Sequence, residues 1–230
     1  MSNSNPKPST SRRILVTGAT GALGRSVLEK FTKCGDSVVA VHTPNQKPGS
    51  MAGVEWVAAD LTQRKSVFDL FARVDDLDAV VHCAGGFRFG MIGDISAEDF
   101  RFLTSLNFES SYYVASAAVP AMKKRKKGTL LFISSFATLN PASGMSAYAA
   151  TKAAINGMVT SLAVELKNDG IRVNAILPSV IDTPANRKDM PHADTSKWVS
   201  PDDIAELLYD LTLSKSKSIT GALIPITGRV

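Results

Sequence analysis

Short apolar runs rich in Val, Ile and Leu alternate along this chain with longer stretches whose apolar residues recur every three to four positions. The runs fall at 14–16, 37–41, 54–58, 79–83, 129–134, 171–176 and 222–226. Runs of that length and composition predict strands covered on both faces, the condition of a parallel sheet. Helical stretches follow most of them, at 22–34, 63–71, 97–122, 147–166 and 201–213, with the period of amphipathic helices. Alternating strand and helix predict an α/β fold, one doubly wound parallel sheet of seven strands with helices on both faces. No Ser/Gly-rich linker follows Arg12 and no segment repeats at a fixed period, so 13–230 reads as a single domain. Residues 1–12, polar and Pro-containing, read as a disordered arm without a secretory leader.

Apolar residues make up 44% and charged residues 20% of the 230, which excludes a disordered chain. The net charge is +5, but Lys123-Lys124-Arg125-Lys126-Lys127 contributes five of the 26 basic residues, and the rest of the chain carries 21 of each sign. The basicity is local, so no nucleic-acid partner is expected; at the end of a long helix these cations complement the negative terminus. Cys34 and Cys83 cannot build a disulfide framework or a zinc site, and His42, His82 and His192 are too scattered to ligate a metal. The longest charge-free stretch, 128–151, is broken by Ser, Asn, Pro and Gly, unlike a membrane span. A cytoplasmic protein with no metal and no membrane partner is expected.

Candidate chemistry begins where the first strand runs into Thr17-Gly18-Ala19-Thr20-Gly21-Ala22-Leu23-Gly24 and then a helix. Gly18, Gly21 and Gly24 allow a tight turn whose N–H groups, with Thr20 and Leu23, meet a pyrophosphate at the positive end of the helix dipole. That is the phosphate-binding place of a Rossmann-type fold, although a Gly-rich turn also serves as a plain connection. In dinucleotide folds an acidic residue usually ends the second strand and grips the ribose hydroxyls of NAD; here His42 and Thr43 stand there. With no carboxylate to repel a 2′-phosphate, and with Arg25 or Lys47 in reach, the expected cofactor is NAD(P)(H) with a weak lean to NADP(H). After the third strand, Asp60-Leu61 offers an acceptor for an adenine amino group, or simply a turn residue.

Tyr148 and Lys152 stand four apart on the fourth predicted helix, so both project from one face. An adjacent ammonium draws a phenol down from about 10, which equips Tyr148 to protonate an alkoxide. Thr17-Gly18…Gly24, Ala84-Gly85, Asn107, Ser135, Tyr148-Ala149-Ala150-Thr151-Lys152 and Pro178…Thr183 together resemble the short-chain dehydrogenase/reductase family, over nearly the whole chain and in the family's order and spacing. The resemblance implies an NAD(P)(H)-dependent oxidoreductase that moves hydride between nicotinamide and a small carbonyl or alcohol substrate. It implies Tyr148 as general acid or base, Ser135 on the substrate oxygen and Lys152 on the nicotinamide ribose. Asn107 would fix a helix backbone and a water that relays protons. Cofactor contacts are implied for Ala84 and Gly85, and for Pro178, Ile181 and Thr183. Ser179 after Pro178, His82-Cys83 before Ala84-Gly85, and Ala22 within the glycine turn depart from the family's usual residues.

The stretch 184–200 carries Asn186, Arg187, Lys188, Asp189, His192, Asp194 and Trp198, which suits a polar or charged substrate; Phe87, Phe89 and Met91 are candidates for a pocket wall or for core. Leu177-Pro178, Asp182-Thr183-Pro184, Asn186-Arg187-Lys188, Met190-Pro191, Ala193-Asp194, Trp198 and Ala84-Gly85-Gly86 resemble dihydropteridine reductases, which makes a quinonoid pterin the alternative substrate. Retained Asn107 and Ser135 favour ordinary carbonyl chemistry. A non-catalytic dinucleotide-binding sensor is the alternative of another class, needing the glycine turn but not Tyr148, Lys152 or Ser135. Small residues on the helices at 97–122 and 147–166, among them Ala115, Ala118, Ala153 and Gly157, permit close packing, and the resemblance implies that these helices pair into a homodimer or homotetramer.

Overall fold

The computed structural model describes residues 11–46 and 48–228. Its seven strands are β1 (Arg13–Thr17), β2 (Ser37–His42), β3 (Val54–Ala58), β4 (Ala79–His82), β5 (Gly128–Ile133), β6 (Ile171–Pro178) and β7 (Leu223–Ile226). They form one sheet in the order β3-β2-β1-β4-β5-β6-β7, and every neighbouring pair is parallel. The doubly wound sheet expected from the alternation is the one observed.

Seven helices complete the frame: α1 (Ala22–Lys33), α2 (Arg64–Arg73), α3 (Ala97–Leu103), α4 (Ser110–Arg125), α5 (Ser146–Glu165), α6 (Pro184–Asp189) and α7 (Pro201–Thr212). Alternate strand residues supply two cores. Leu15, Val39, Val80, Leu130 and Val173 pack with α2, α4 and α5, whereas Ile14, Val16, Val38, Val81, Leu131 and Ile176 pack with α1 and α7. Burial on both sides is why these strands read as apolar runs and not as alternating patterns. Each such side chain contributes about 1.5–3 kcal/mol when fully buried.

The helix expected at 97–122 is divided. A π-helical turn at Thr104–Glu109 separates α3 from α4, and hydrophobic periodicity does not distinguish one turn of i→i+5 bonding from its α-helical flanks. Ser96 starts α3: its Oγ accepts from the Asp99 N–H at 3.0 Å and donates to the Asp99 carboxylate at 2.7 Å. Lys126, in the left-handed region at φ 54°, ends α4. The cations around it pair within the chain, Lys123 and Lys126 with Asp169, Lys127 with Asp78, and Arg125 with Asp76. Of the expected arm, residues 1–10 lie outside the described residues. Arg12 is held by a bidentate pair to Asp36 at 2.9 and 2.6 Å, and donates to Thr212 at 2.7 Å. Among the described residues no helix is long and apolar enough to cross a membrane.

Parallel strands all end on one side. From β1 the order steps outward through β2 and β3, and from β4 it steps the other way, so a crevice opens between the ends of β1 and β4, where doubly wound sheets bind ligands.

Candidate active site

Thr17 ends β1 and Gly18 follows at φ 62°, where a Cβ would lie 2.6 Å from the Ala84 nitrogen. A Cβ on Gly24 would run into the Gly18 carbonyl. Gly21 is the N-cap of α1 and supplies no side-chain acceptor, which leaves first-turn N–H groups for a ligand. Leu23 and Leu61 are buried. Thr20 Oγ1 donates to Gln46 Oε1 at 2.8 Å and ties the turn to the loop after β2; exposed Arg25 donates from Nε to the Thr20 carbonyl at 3.3 Å. His42 closes β2 with Nδ1 2.9 Å from the Thr43 carbonyl, while Lys47 lies outside the described residues. Asp60 Oδ1 accepts from the Thr62 N–H and hydroxyl at 3.0 and 2.7 Å, so the turn role anticipated for it is present.

The chemistry-bearing side chains gather around the ends of β4 and β5. Ser135 follows β5 and is buried; its Oγ accepts from the Ala137 N–H at 3.2 Å. Lys152 on α5 is also buried and donates from Nζ to the Ile133 carbonyl at 2.9 Å, and its Nζ lies 5.9 Å from the centre of the Tyr148 ring. Burial lowers Lys152 to about 8. The half-buried Tyr148 phenol is pushed up from its ordinary value by burial, with the nearby Ser135 hydroxyl opposing that shift. The expected lowering of Tyr148 by Lys152 is therefore not the balance found here: the ammonium is turned towards the Ile133 carbonyl, and desolvation dominates the phenol.

Asn107 lies within the π turn and has no exposed surface. Its side chain grips Gly86 at both backbone groups, Oδ1 accepting from the N–H at 2.8 Å and Nδ2 donating to the carbonyl at 3.0 Å. The second Nδ2 proton goes to Thr151 Oγ1 at 3.1 Å, and Thr151 in turn donates to the Tyr148 carbonyl at 2.8 Å. One amide thus joins the loop after β4 to the helix carrying Tyr148 and Lys152. A Cβ on Gly85 would fall 3.1 Å from both Asn107 Oδ1 and Lys152 Nζ, so any side chain there would push on both groups. Thr151, Gly86 and Ser134, whose Oγ donates to the Lys152 carbonyl at 3.1 Å, were missed by sequence reasoning as positioning residues. Only a hydroxyl next to Lys152 and a second glycine after Gly85 could have signalled two of them.

His82, a departure from the resembling family, braces the site from below. Ser110 Oγ donates to the Leu106 carbonyl at 2.6 Å, so it accepts from His82 Nε2 at 3.1 Å. His82 Nδ1 then accepts from the Thr17 hydroxyl at 2.9 Å, whose oxygen takes the Ala84 N–H at 3.4 Å. This chain of donors links the glycine turn, the loop after β4 and the π turn. Burial, with the Lys152 charge a smaller cause, pushes His82 down to about 3. Below pH 6.5 the unfolded chain takes up a proton that folded His82 refuses, so stability falls with pH. The group's share of that fall is expected to be about 2 kcal/mol between pH 7 and pH 5. Urea midpoints at the two values check it: His82→Asn should show a correspondingly shallower decline, and an equal decline would clear His82 of the effect.

After β6 the candidates for the nicotinamide end are already engaged. The Ile181 carbonyl accepts from Asn186 Nδ2 at 2.8 Å, and Thr183 Oγ1 caps α6 by accepting from the Asn186 N–H at 3.1 Å, which leaves the Thr183 hydroxyl proton free to donate. Pro178 ends β6, and Ser179 donates to the Ile226 carbonyl at 2.9 Å. The structure therefore brings Asn107, Ser135, Tyr148, Lys152, Gly85, Gly18 and Ala84 together, and strings His42, Thr43, Asp60 and Leu61 along the ends of β2 and β3.

A glycine turn beside a Tyr, Lys, Ser and Asn cluster at the strand ends of a doubly wound sheet is the arrangement expected of a nicotinamide-dependent oxidoreductase. A family model described as short chain dehydrogenase matches residues 12–194, and the chain belongs to that family. It is 30% identical to a tropinone reductase homolog of Arabidopsis thaliana over 93% of this chain and 90% of that protein. It is 26% identical to dehydrogenase/reductase SDR family member 6 of Rattus norvegicus over 94% and 95% of the two chains. An oxidoreductase of the short chain dehydrogenase/reductase family from Burkholderia thailandensis superposes with a TM-score of 0.86 at 26% identity, covering 95% of this chain and 92% of that one. ElxO with NADP bound shares the fold, with a TM-score of 0.88 at 23% identity over 94% and 97%. The protein is accordingly an enzyme, an NAD(P)-dependent oxidoreductase acting on a small molecule. Nothing in these likenesses speaks specifically for a pterin.

Proposed function

We propose that this oxidoreductase interconverts a small carbonyl compound and its alcohol, with Tyr148 moving the proton. The observation that carries this reading is the convergence of the Tyr148 phenol with Ser135, whose hydroxyl opposes the phenol's upward shift, beside buried Lys152. Ser135 donates to the substrate oxygen, and the protonated phenol delivers its proton to that oxygen as negative charge develops there. Lys152 holds the nicotinamide ribose with the protons not used on Ile133. Asn107, through Gly86 and Thr151, keeps the loop and α5 in register. Bound nicotinamide supplies or accepts the hydride.

Gly18, Thr20, Gly21, Leu23 and Gly24 would hold the cofactor's pyrophosphate, Ala84, Gly85, Pro178, Ile181 and Thr183 its nicotinamide half, and Asp60 and Leu61 its adenine. NADP(H) is the preferred form, because the end of β2 presents His42 and Thr43 instead of a carboxylate and Arg25 stands exposed beside the turn. The site functions in a cytoplasmic homodimer or homotetramer; a light-scattering mass equal to one chain at micromolar concentration would remove that part. The decisive assay follows oxidation of NADPH and NADH with small ketones and aldehydes. Turnover with NADPH favoured is expected, and tight cofactor binding without turnover would instead support a sensor.

A further inference from the structure

Large apolar side chains stand in solvent on the loops after β4 and β5, one of them against Tyr148. Phe87 is 45% exposed, Phe89 67%, Met91 52% and Leu139 55%, a concentration that marks a binding surface when it adjoins a site. The first three lie on the loop after β4 and Leu139 on the loop after β5, and the two loops are joined. The Gly90 N–H donates to the Gly144 carbonyl at 3.0 Å, the Ser143 hydroxyl donates to the Met91 sulfur at 3.3 Å, and the Phe89 ring lies where any Cβ on Gly144 would strike it. Phe87 sets its ring edge-on to Tyr148, centroids 4.9 Å apart at 81°. A built apolar wall thus runs up to the phenol that moves the proton.

The segment after β6 carries the polar residues that pointed to a polar or charged substrate, and three of them, Asn186, Arg187 and Asp194, are paired within it. Arg187 forms a bidentate pair with Asp182 at 2.6 and 2.7 Å, and Asn186 Nδ2 is on the Ile181 carbonyl. Asp194 Oδ1 takes the Ser196 N–H at 3.1 Å and hydroxyl at 2.6 Å. Arg187 and Asp182 offset each other's charge, so the segment presents less net charge to a ligand than its sequence suggests.

We infer that the substrate is an apolar carbonyl compound, an aldehyde or ketone bearing an aliphatic or aromatic group, with its oxygen at Tyr148 and Ser135 and its apolar group on Phe87 and Phe89. This inference deepens the carbonyl-reductase reading and rests on it. An apolar wall rewards each added methylene by about twofold to fourfold in kcat/KM until the wall is covered.

The test measures kcat/KM for the full chain with NADPH on straight-chain aldehydes from propanal to octanal. Phenyl-substituted ketones are run beside their carboxylated and polyhydroxylated counterparts. The expected result is that rise with chain length, carboxylated counterparts at least about tenfold poorer, and a slope cut by about half in Phe89→Ser. A flat chain-length profile, or preference for the charged or hydroxylated compounds, overturns the apolar substrate while leaving the reductase reading intact. Absence of turnover throughout overturns the reductase reading for this panel. Binding then decides the apolar inference separately, through calorimetry of unreactive alkyl and phenylalkyl amides with NADP bound. Affinity rising with chain length supports it, and affinity independent of length overturns it.

Discussion

Replacing Tyr148 by Phe is expected to lower kcat for carbonyl reduction by about 10³, within the 10²–10⁴ that a positioned proton donor supplies, while cofactor affinity changes by less than about twofold. The variant keeps the ring and its edge contact with Phe87, so the pocket wall stays and the hydroxyl alone is lost. Stopped-flow NADPH oxidation and a fluorescence titration of NADPH separate the two quantities. Retained turnover would take the phenol out of the mechanism. The pH dependence has a definite sign in the native enzyme. Burial holds Tyr148 above its ordinary value, so the phenol carries its proton throughout neutral pH, which is the form that reduction uses. Reduction should be level from about pH 6 to 7 and decline towards pH 8 as Lys152 loses its charge, whereas alcohol oxidation, which needs the phenolate, should climb between about pH 6 and 7.

Lys152→Met is expected to separate stability from function. Burial lowers Lys152 from 10.5 to about 8, so in the folded state the ammonium is disfavoured, and the penalty is fully present below pH 8 and relieved as pH rises towards 10.5. At pH 7 the penalty is at most about 3 kcal/mol. Met fills the same buried space without charge. The lost bond to the Ile133 carbonyl offsets about 1 kcal/mol of the gain. A net rise of roughly 4–8 °C in melting temperature at pH 7 follows for a chain of this size. Turnover should fall by about 10² or more, because the fixed positive charge beside the phenol and the ribose anchor are both gone. Thermal melts at pH 7 and pH 10 with parallel rates check both halves. The stability gain should shrink at the higher pH, and unchanged melting with unchanged turnover would sink the assignment of Lys152.

Much of the frame and part of the site were legible in the residue order. The seven strands were, because burial on both faces makes the central ones apolar along their length, as at Leu130, Leu131, Phe132 and Ile133, and the half-buried edge strands at 54–58 and 223–226 keep enough apolar residues to show. The helix at 97–122 was legible as helix but not in its interruption, since a π turn keeps the same apolar side inward. The charge at Arg187 and Asp194 was legible in the sequence but its pairing was not: the bonds to Asp182 and Ser196 depend on how the segment turns. The lowering of Tyr148 by Lys152 was inferred from spacing alone, and spacing says nothing about which acceptor a long ammonium chain will reach.

What the sequence by itself determined are the properties that arise within a turn or two of chain. These are the strand pattern, the glycine turn that a left-handed Gly18 and a close-packed Gly24 demand, and the shared face of Tyr148 and Lys152. What only the tertiary structure decided are bonds between residues far apart in sequence. Asn107 closes on Gly86 and Thr151, and His82 joins Thr17 to Ser110. Apolar burial is repeated from strand to strand across the centre of the sheet and leaves a trace in the sequence, whereas a single hydrogen bond between distant positions leaves none until the sheet has brought the strand ends together.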